Sequence, residues 1–188
     1  MLKPLHYLIP LVGLALGAAA CNDDDGPADP GAGEEEVITT VRVTFASADD
    51  TAELLFRDAD VSGTGSAVIT GDTLAANTEY EVSIAFLNES VDPVDDITAE
   101  VEEEAGEHQV FYLPSDGLAL TVSPTDADAE GRPVGLAAAA TTVVASSGSL
   151  RVVLRHEPDK DAAGVAAGDI TNAGGETDVE VDFPVVIE

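Results

Sequence analysis

His108 and His156 carry the side chains of this sequence that are best suited to bind a transition-metal ion. Glu104 lies four residues before His108, on the same face of a helix that we predict over residues 95–108. Imidazole nitrogens and carboxylate oxygens together suit Zn²⁺, provided the fold brings these segments together. We therefore treat Glu104, His108 and His156 as a candidate Zn²⁺ site. The alternative is that both histidines are surface residues at the ends of their elements.

Two loops repeat a pattern of alternating oxygen-bearing residues with Gly in the sixth place, DADVSG and DADAEG. Such a pattern can wrap a Ca²⁺ ion, which takes 6–8 oxygen ligands. The loops are not EF-hands, because Ile69 and Ala137 stand where the twelfth-place Glu would be. The alternative is that Asp and Gly are simply good turn residues. The candidate Ca²⁺ ligands are Asp58, Asp60, Ser62, Asp126, Asp128 and Glu130.

Signatures of catalysis are absent from the sequence. It contains no G-x-S-x-G, no H-E-x-x-H and no Gly-rich phosphate loop, and Trp, a common platform for sugars, does not occur. We predict that the protein is not an enzyme. The sequence implies no cofactor with certainty, and Ca²⁺ and Zn²⁺ are the two candidate ions.

The N-terminus has the order of a secretory signal peptide. Lys3 precedes an apolar run over residues 8–16, and small residues then lead to Cys21, the only cysteine. This segment resembles a bacterial lipoprotein lipobox, although Ala18 stands where Leu is usual. The resemblance implies that Cys21 is acylated and anchors the chain to a membrane of the bacterial cell envelope. The alternative is an ordinary signal peptide with an unrelated cysteine.

Residues 22–36 contain no large apolar side chain and are rich in Gly, Pro, Asp and Glu. The acidic triplet at residues 23–25 resembles the signal that exports some bacterial lipoproteins to the outer face of the outer membrane. We expect a signal peptide over residues 1–20, a lipidated Cys and disordered acidic tether over 21–36, and a folded β-sandwich domain over 37–188. The expected location is the outer membrane, at its surface or at its periplasmic face.

The charge of the chain excludes one class of partner. Asp and Glu number 37 against 7 Lys and Arg, which gives a formal charge of -30. Such a field repels phosphate backbones, so we predict no binding to nucleic acid. The acidic residues are spread along the chain, and the composition resembles that of a halophile's protein.

Side chains alternate between apolar and polar along most of the folded part. The last segment is typical: Val181, Phe183 and Val185 are expected to face a core, while Asp178 and Glu180 face water. Only residues 95–108 have a helical pattern. We predict an all-β fold, a two-sheet antiparallel sandwich of immunoglobulin-like or fibronectin-like type, enlarged and with one short helix.

One local motif favours this fold. The segment from Leu74 to Tyr80 resembles the tyrosine corner of fibronectin type III domains, in which a Tyr hydroxyl bonds to backbone a few residues upstream. We expect a carbonyl of the upstream turn to accept that bond.

A broader resemblance covers most of residues 37–188. It is carried by the segments ITGDTLAANTEY, FLNES, EEEAGEHQVFYL, RPVGL, LRHEPDK and GDITNAGGETDVEVDF. The chain resembles a family of uncharacterised bacterial lipoproteins often labelled "type 1 periplasmic binding fold". That label implies an α/β domain, which the strand pattern contradicts. The resemblance transfers no functional residues.

These patterns together predict a membrane-anchored, non-enzymatic lipoprotein that acts as a binding or accessory module of the cell envelope. Its partner would be a cation, a small ligand or an envelope protein such as an outer-membrane transporter. The alternative is a structural or adhesive surface module without a small ligand.

Overall fold

The computed structural model describes residues 36–58 and 67–188, and ten β-strands make up about half of these residues. Short polar turns separate runs of alternating side chains, as the sequence indicates. The strands are β1 Thr40–Ala46, β2 Thr51–Arg57, β3 Val68–Gly71, β4 Thr73–Leu74, β5 Glu79–Leu87, β6 His108–Pro114, β7 Leu120–Pro124, β8 Ala137–Thr142, β9 Ser146–His156 and β10 Glu176–Ile187.

The strands form two sheets of a sandwich. One sheet has the order β3-β2-β1-β5-β8-β7, and the other has the order β4-β10-β9-β6. All pairs are antiparallel except the short pairing of β4 with β10. The predicted all-β sandwich is therefore confirmed, and the α/β architecture implied by the family label is not the architecture of this chain.

Inward-facing side chains of both sheets meet in one core. Phe45 and Phe183 are fully buried, and Phe45 packs edge-on against Tyr80 with ring centroids 5.8 Å apart. The Tyr80 hydroxyl accepts a 2.8 Å hydrogen bond from the backbone N–H of Ala75. The backbone contact of the tyrosine corner is present, but its partner is an N–H and not the expected carbonyl.

The helix α1 spans Ile97–Glu103 and is shorter than the predicted helix over residues 95–108. The Asp96 side chain caps its N-terminus by accepting a bond from the Thr98 N–H at 3.2 Å. Glu104 is the C-cap, and the chain then turns into β6. His108 is consequently the first residue of a strand and not the end of the helix.

Strand β10 contains a β-bulge that the alternation of its side chains does not reveal. Thr177 pairs with Arg155 and Val179 pairs with Leu154, so Asp178 is an extra residue without a partner on β9. The Asp178 side chain is only 5% exposed. Our expectation that Asp178 faces water was therefore wrong, and the bulge is the reason. Glu180 and Asp182 do face solvent.

Several predictions concern parts of the chain outside the described residues. They include the signal peptide, Cys21, the tether as far as residue 35, and the loop positions Asp60 and Ser62. No helix within residues 36–58 and 67–188 is both long enough and apolar enough to cross a membrane.

Candidate metal centre

Neighbouring strands of the four-stranded sheet bring the two histidines together. His108 begins β6 and His156 ends β9, and the two residues are direct cross-strand partners. Partners of this kind have side chains on the same face of a sheet. The imidazole rings are stacked, with centroids 4.7 Å apart and planes inclined by 23°. The structure thus brings together the two histidines that the sequence identifies as candidate ligands.

Two carboxylates complete the cluster. Asp178 comes from the bulge in β10, the next strand of the same sheet, and Glu36 comes from the segment that leads into β1 of the other sheet. Glu36 Oε1 lies 3.1 Å from His108 Nε2. Asp178 Oδ2 lies 3.8 Å from that nitrogen, and Asp178 Oδ1 lies 3.9 Å from His156 Nδ1. One ligand atom from each of the four side chains lies within 4.8 Å of the other three. We call these four residues the metal centre.

Glu104 acts on the other side of the His108 ring. Its backbone carbonyl lies 3.3 Å from His108 Nδ1, and its carboxylate lies 3.9 Å from the same atom. A carbonyl oxygen can only accept a hydrogen bond, so Nδ1 carries a proton and donates it. In the neutral imidazole the lone pair is then on Nε2, which points at Glu36, whereas in the protonated ring Nε2 donates a hydrogen bond to that carboxylate. This is the orientation in which a backbone carbonyl fixes a metal-ligating histidine.

The metal centre is buried and has too few hydrogen-bond donors. The exposed fractions of the His108, Glu36 and Asp178 side chains are 0%, 8% and 5%. Glu36 Oε2 and Asp178 Oδ2 are both buried without a hydrogen-bond partner. Burial and the nearby Glu36 carboxylate raise the pKa of Asp178 to about 6, although His108 and His156 pull that pKa down. Buried polar atoms are normally satisfied, so these two oxygens are the atoms of the cluster at which a proton, a water molecule or a cation would bind.

The ligand set fits a divalent transition-metal ion. Two neutral imidazoles and two ionised carboxylates carry a charge of −2, which a divalent ion neutralises, and neutrality is what a buried site requires. Zn²⁺ binds four such ligands, about 3.3 Å apart in a tetrahedron with bonds of about 2.0–2.1 Å. Ca²⁺ is a poorer match because it requires more ligands and prefers oxygen.

A second group of ligands shares His156 on the outside of the metal centre. Glu107, His156 and Glu157 also place ligand atoms within 4.8 Å of one another, but both glutamates are exposed. The chain is tightly folded here. Glu157 has a φ of 49°, and Gly175 packs so closely against the backbone of His156 and Glu157 that a side chain would not fit. These contacts fix the position of His156 at the end of β9.

The acidic loop of residues 126–131, predicted to bind Ca²⁺, is closed by the protein's own groups. Both oxygens of Asp126 accept backbone N–H groups, from Gly135 at 2.7 Å and Ala137 at 3.0 Å. Asp128 Oδ2 accepts from Arg132 Nε at 3.0 Å and from Lys160 Nζ at 3.3 Å. The geometry of this loop therefore gives the Ca²⁺ prediction no support. In the other loop, Asp58 donates its backbone N–H to Thr39 at 2.7 Å.

Lys160 is buried beside this loop. Its ammonium group donates to the carbonyls of Ala105 at 2.5 Å and Pro133 at 3.0 Å, in addition to Asp128. Burial lowers the pKa of Lys160, and the Asp128 carboxylate opposes that change. Burial would raise the pKa of Asp128, but the hydrogen bonds from Arg132 and Lys160 outweigh it and lower the pKa.

A groove of about 710 Å³ runs between α1 and the acidic loop. Its apolar floor includes Val134 and Leu136, and Glu102 and Glu103 stand at its rim. Asp126, which also borders the groove, uses both carboxylate oxygens within the protein. The groove is large enough for a small ligand, but none of its described side chains is a buried polar group lacking a partner.

Sequence reasoning identified the two histidines but missed Glu36 and Asp178. Glu36 ends an acidic run and was assigned to the tether, whereas its side chain packs inside the domain. Asp178 points inward because of the bulge, which the sequence does not show. The sequence offers no signal for Asp178, because Glu176, Asp178 and Glu180 continue an unbroken alternation with the apolar residues of β10. For Glu36 we find no signal that distinguishes it from its acidic neighbours.

No protein-family model, curated protein or solved structure matches this chain.

Proposed function

We propose that the protein is a lipid-anchored, non-enzymatic module of the bacterial cell envelope that binds one divalent transition-metal ion, Zn²⁺ first among them, at the metal centre. One observation carries the proposal. His108 Nδ1 donates to a carbonyl, so the Nε2 lone pair faces the Glu36 carboxylate at 3.1 Å. Two electron-rich groups approach this closely only when a cation, either a proton or a metal ion, lies between them.

The surrounding residues favour a metal ion over a single proton. A proton shared between Glu36 and Asp178 would serve both of their buried oxygens, but it would make no use of His156. A divalent ion satisfies both and also uses His156.

Metal analysis tests this function. The purified chain is dialysed against Zn²⁺, Ca²⁺ or Mg²⁺, and the bound metal is measured after the free ion has been removed. We expect one Zn²⁺ per chain and no retained Ca²⁺ or Mg²⁺. His108→Ala should abolish the retention of Zn²⁺. Asp182→Asn is the matched control, because Asp182 lies on β10 but faces solvent and pairs with Arg151. A wild-type chain that retains no Zn²⁺ contradicts the proposal.

The membrane anchor rests on the sequence at Cys21 and is tested separately. We expect mass spectrometry of the protein from a bacterial host to find an acylated Cys21 at the mature N-terminus. Cys21→Ser should release the folded domain from the membrane fraction. An unmodified Cys21 in the processed protein would remove the anchor and leave the metal site in place.

The alternative of a structural or adhesive module has one observation in its favour. The edge strand β3 is exposed along its whole length, including Val68 at 57% and Ile69 at 42%. Exposed edges can pair with strands of other chains. Self-association that is lost in Ile69→Lys, in a chain that binds no metal, would support this alternative.

A further inference from the structure

We propose that Glu36 is the displaceable ligand of the metal centre, and that the metal ion enters and leaves through the coordination position that Glu36 holds. This inference rests on the proposed function, because it describes how the same site exchanges its ion.

The four ligands differ in how firmly the backbone holds them. His108, His156 and Asp178 belong to β6, β9 and β10, which are adjacent strands of one sheet joined by long antiparallel ladders. The backbone of these three residues cannot move away from the centre without disturbing the ladder or the bulge. These ligands therefore form a fixed half of the site.

Glu36 lies outside any strand. Within the described residues, the first backbone hydrogen bond after Glu36 is the one that Thr39 donates to Leu87 at 2.9 Å. Val37 is 49% exposed, so only Ile38 packs against the core before that point. Rotation about the backbone of residues 36–38 can withdraw the Glu36 carboxylate without breaking a ladder bond.

Burial makes such a withdrawal necessary. His108 is fully buried, and Glu36 itself is only 8% exposed. A metal ion held by all four ligands has no free coordination position for an incoming donor until one ligand moves, and Glu36 is the ligand with the fewest backbone contacts to break. Its departure leaves an ion held by His108, His156 and Asp178 with one open position.

The exchange is a ligand substitution. The bond from the metal to the Glu36 oxygen breaks, and the carboxylate retains its electron pair and negative charge. A new bond forms from the entering donor to the metal, whose oxidation state does not change. The entering group must be an electron-pair donor that a divalent transition metal accepts, such as an imidazole nitrogen.

Stopped-flow transfer of Zn²⁺ from the loaded full-length chain to the chromogenic chelator 4-(2-pyridylazo)resorcinol tests this role. For the wild type, we expect a rate that saturates as chelator concentration rises, because the withdrawal of Glu36 becomes limiting. Glu36→Gln should still retain one Zn²⁺ per chain, should transfer it at least about tenfold faster, and should show no saturation. Asp182→Asn is the control and should behave as the wild type.

A second measurement uses the chain loaded with Co²⁺, whose visible absorption reports its coordination. Imidazole should shift the spectrum of the Glu36→Gln variant at lower concentration than it shifts the wild-type spectrum. Circular dichroism of each variant verifies the fold.

The outcomes separate the two proposals. A wild-type chain that binds no Zn²⁺ overturns both of them. Zn²⁺ binding by the wild type together with an unchanged transfer rate in Glu36→Gln overturns the role of Glu36 alone. The role of Glu36 is also overturned if a folded Glu36→Gln variant loses Zn²⁺ as completely as His108→Ala does.

Discussion

Two groups of buried carboxylates in this protein differ in whether the chain itself supplies partners for their oxygens. Around Asp128, the carboxylate is matched by the cations of Lys160 and Arg132, and the remaining donors of Lys160 go to carbonyls. In the metal centre, Glu36 and Asp178 face two imidazoles, and each carboxylate keeps an oxygen without a partner. The first group is complete within the chain, whereas the second keeps two buried oxygens that no donor of the described residues reaches. The difference shows that a count of acidic residues says less about cation binding than the positions of the protein's own cations.

This comparison predicts its largest effect at Asp128. Asp128→Ala leaves the Lys160 ammonium buried without a carboxylate, and loss of one partner from a buried pair costs about 3–5 kcal/mol. Chemical denaturation of wild type and variant measures this difference. The pKa of Asp128 is lowered by its hydrogen bonds. Its contribution is therefore complete above about pH 4, the ordinary range of Asp, and is lost as pH falls through the lower native pKa.

The destabilisation by Asp128→Ala should not depend on added metal. Restoration of the variant's stability by Ca²⁺ would contradict the comparison. The loop would then bind an added cation and would not be complete within the chain.

The next effect in size is stabilisation of the wild type by Zn²⁺. A ligand that binds only the folded state at 100 times its Kd stabilises it by about 2.7 kcal/mol. We expect this gain in thermal or chemical denaturation of wild type and of Asp182→Asn, and no gain in His156→Ala. Equal stabilisation of His156→Ala would show that Zn²⁺ binds elsewhere.

A smaller effect of opposite sign is expected at Asp178 in the chelator-treated protein. The pKa of Asp178 is raised from 3.8 to about 6 by burial and by Glu36, against the pull of His108 and His156. The folded state therefore disfavours the ionised carboxylate, and the penalty develops between about pH 4 and pH 6. At 1.36 kcal/mol for each pKa unit, this penalty is at most about 3 kcal/mol.

Asp178→Asn removes that charge. Without metal, it should raise the free energy of unfolding at pH 7.5 by about 1–2 kcal/mol and have little effect near about pH 3, where Asp178 is mostly protonated in both states. The same variant should lose its response to Zn²⁺. A variant that is less stable than wild type at pH 7.5 without metal would contradict this account of the centre.

The smallest effect is expected at an exposed ion pair between β9 and β10. Arg151 binds Asp182 through two hydrogen bonds of 3.0 Å, and both side chains are about half exposed. Exposed pairs contribute about 0–1 kcal/mol. Asp182→Asn should therefore change the free energy of unfolding by less than about 1 kcal/mol, with or without Zn²⁺. A larger change would show that charge on β10 matters outside the metal centre.

The fold was predictable from the sequence because alternation along a strand reports burial directly. Val41, Val43 and Phe45 are all fully buried, as their period of two indicates. The predicted helix was too long. The apolar spacing of residues 97–108 continues past Glu104, but the helix ends there and the chain turns into β6. Local pattern does not show where a helix gives way to a strand that pairs with a distant partner.

The site was predictable only in part, for the same physical reason. His108 and His156 belong to the ligand types that suit Zn²⁺, but their meeting depends on the register of β6 with β9, which joins residues 48 positions apart. Asp178 turns inward because of the bulge in β10, and Glu36 reaches the metal centre from the segment that precedes β1. Likewise, the acidic loop matched a Ca²⁺ pattern because the sequence does not show that Lys160 folds against Asp128.

Crystals of the protein soaked with Zn²⁺, with diffraction data collected above and below the zinc absorption edge, test the central claim most directly. We predict a single anomalous peak within bonding distance of His108 Nε2, His156, Asp178 and Glu36. Absence of a peak there at saturating Zn²⁺, or a peak at the acidic loop in its place, would contradict the account.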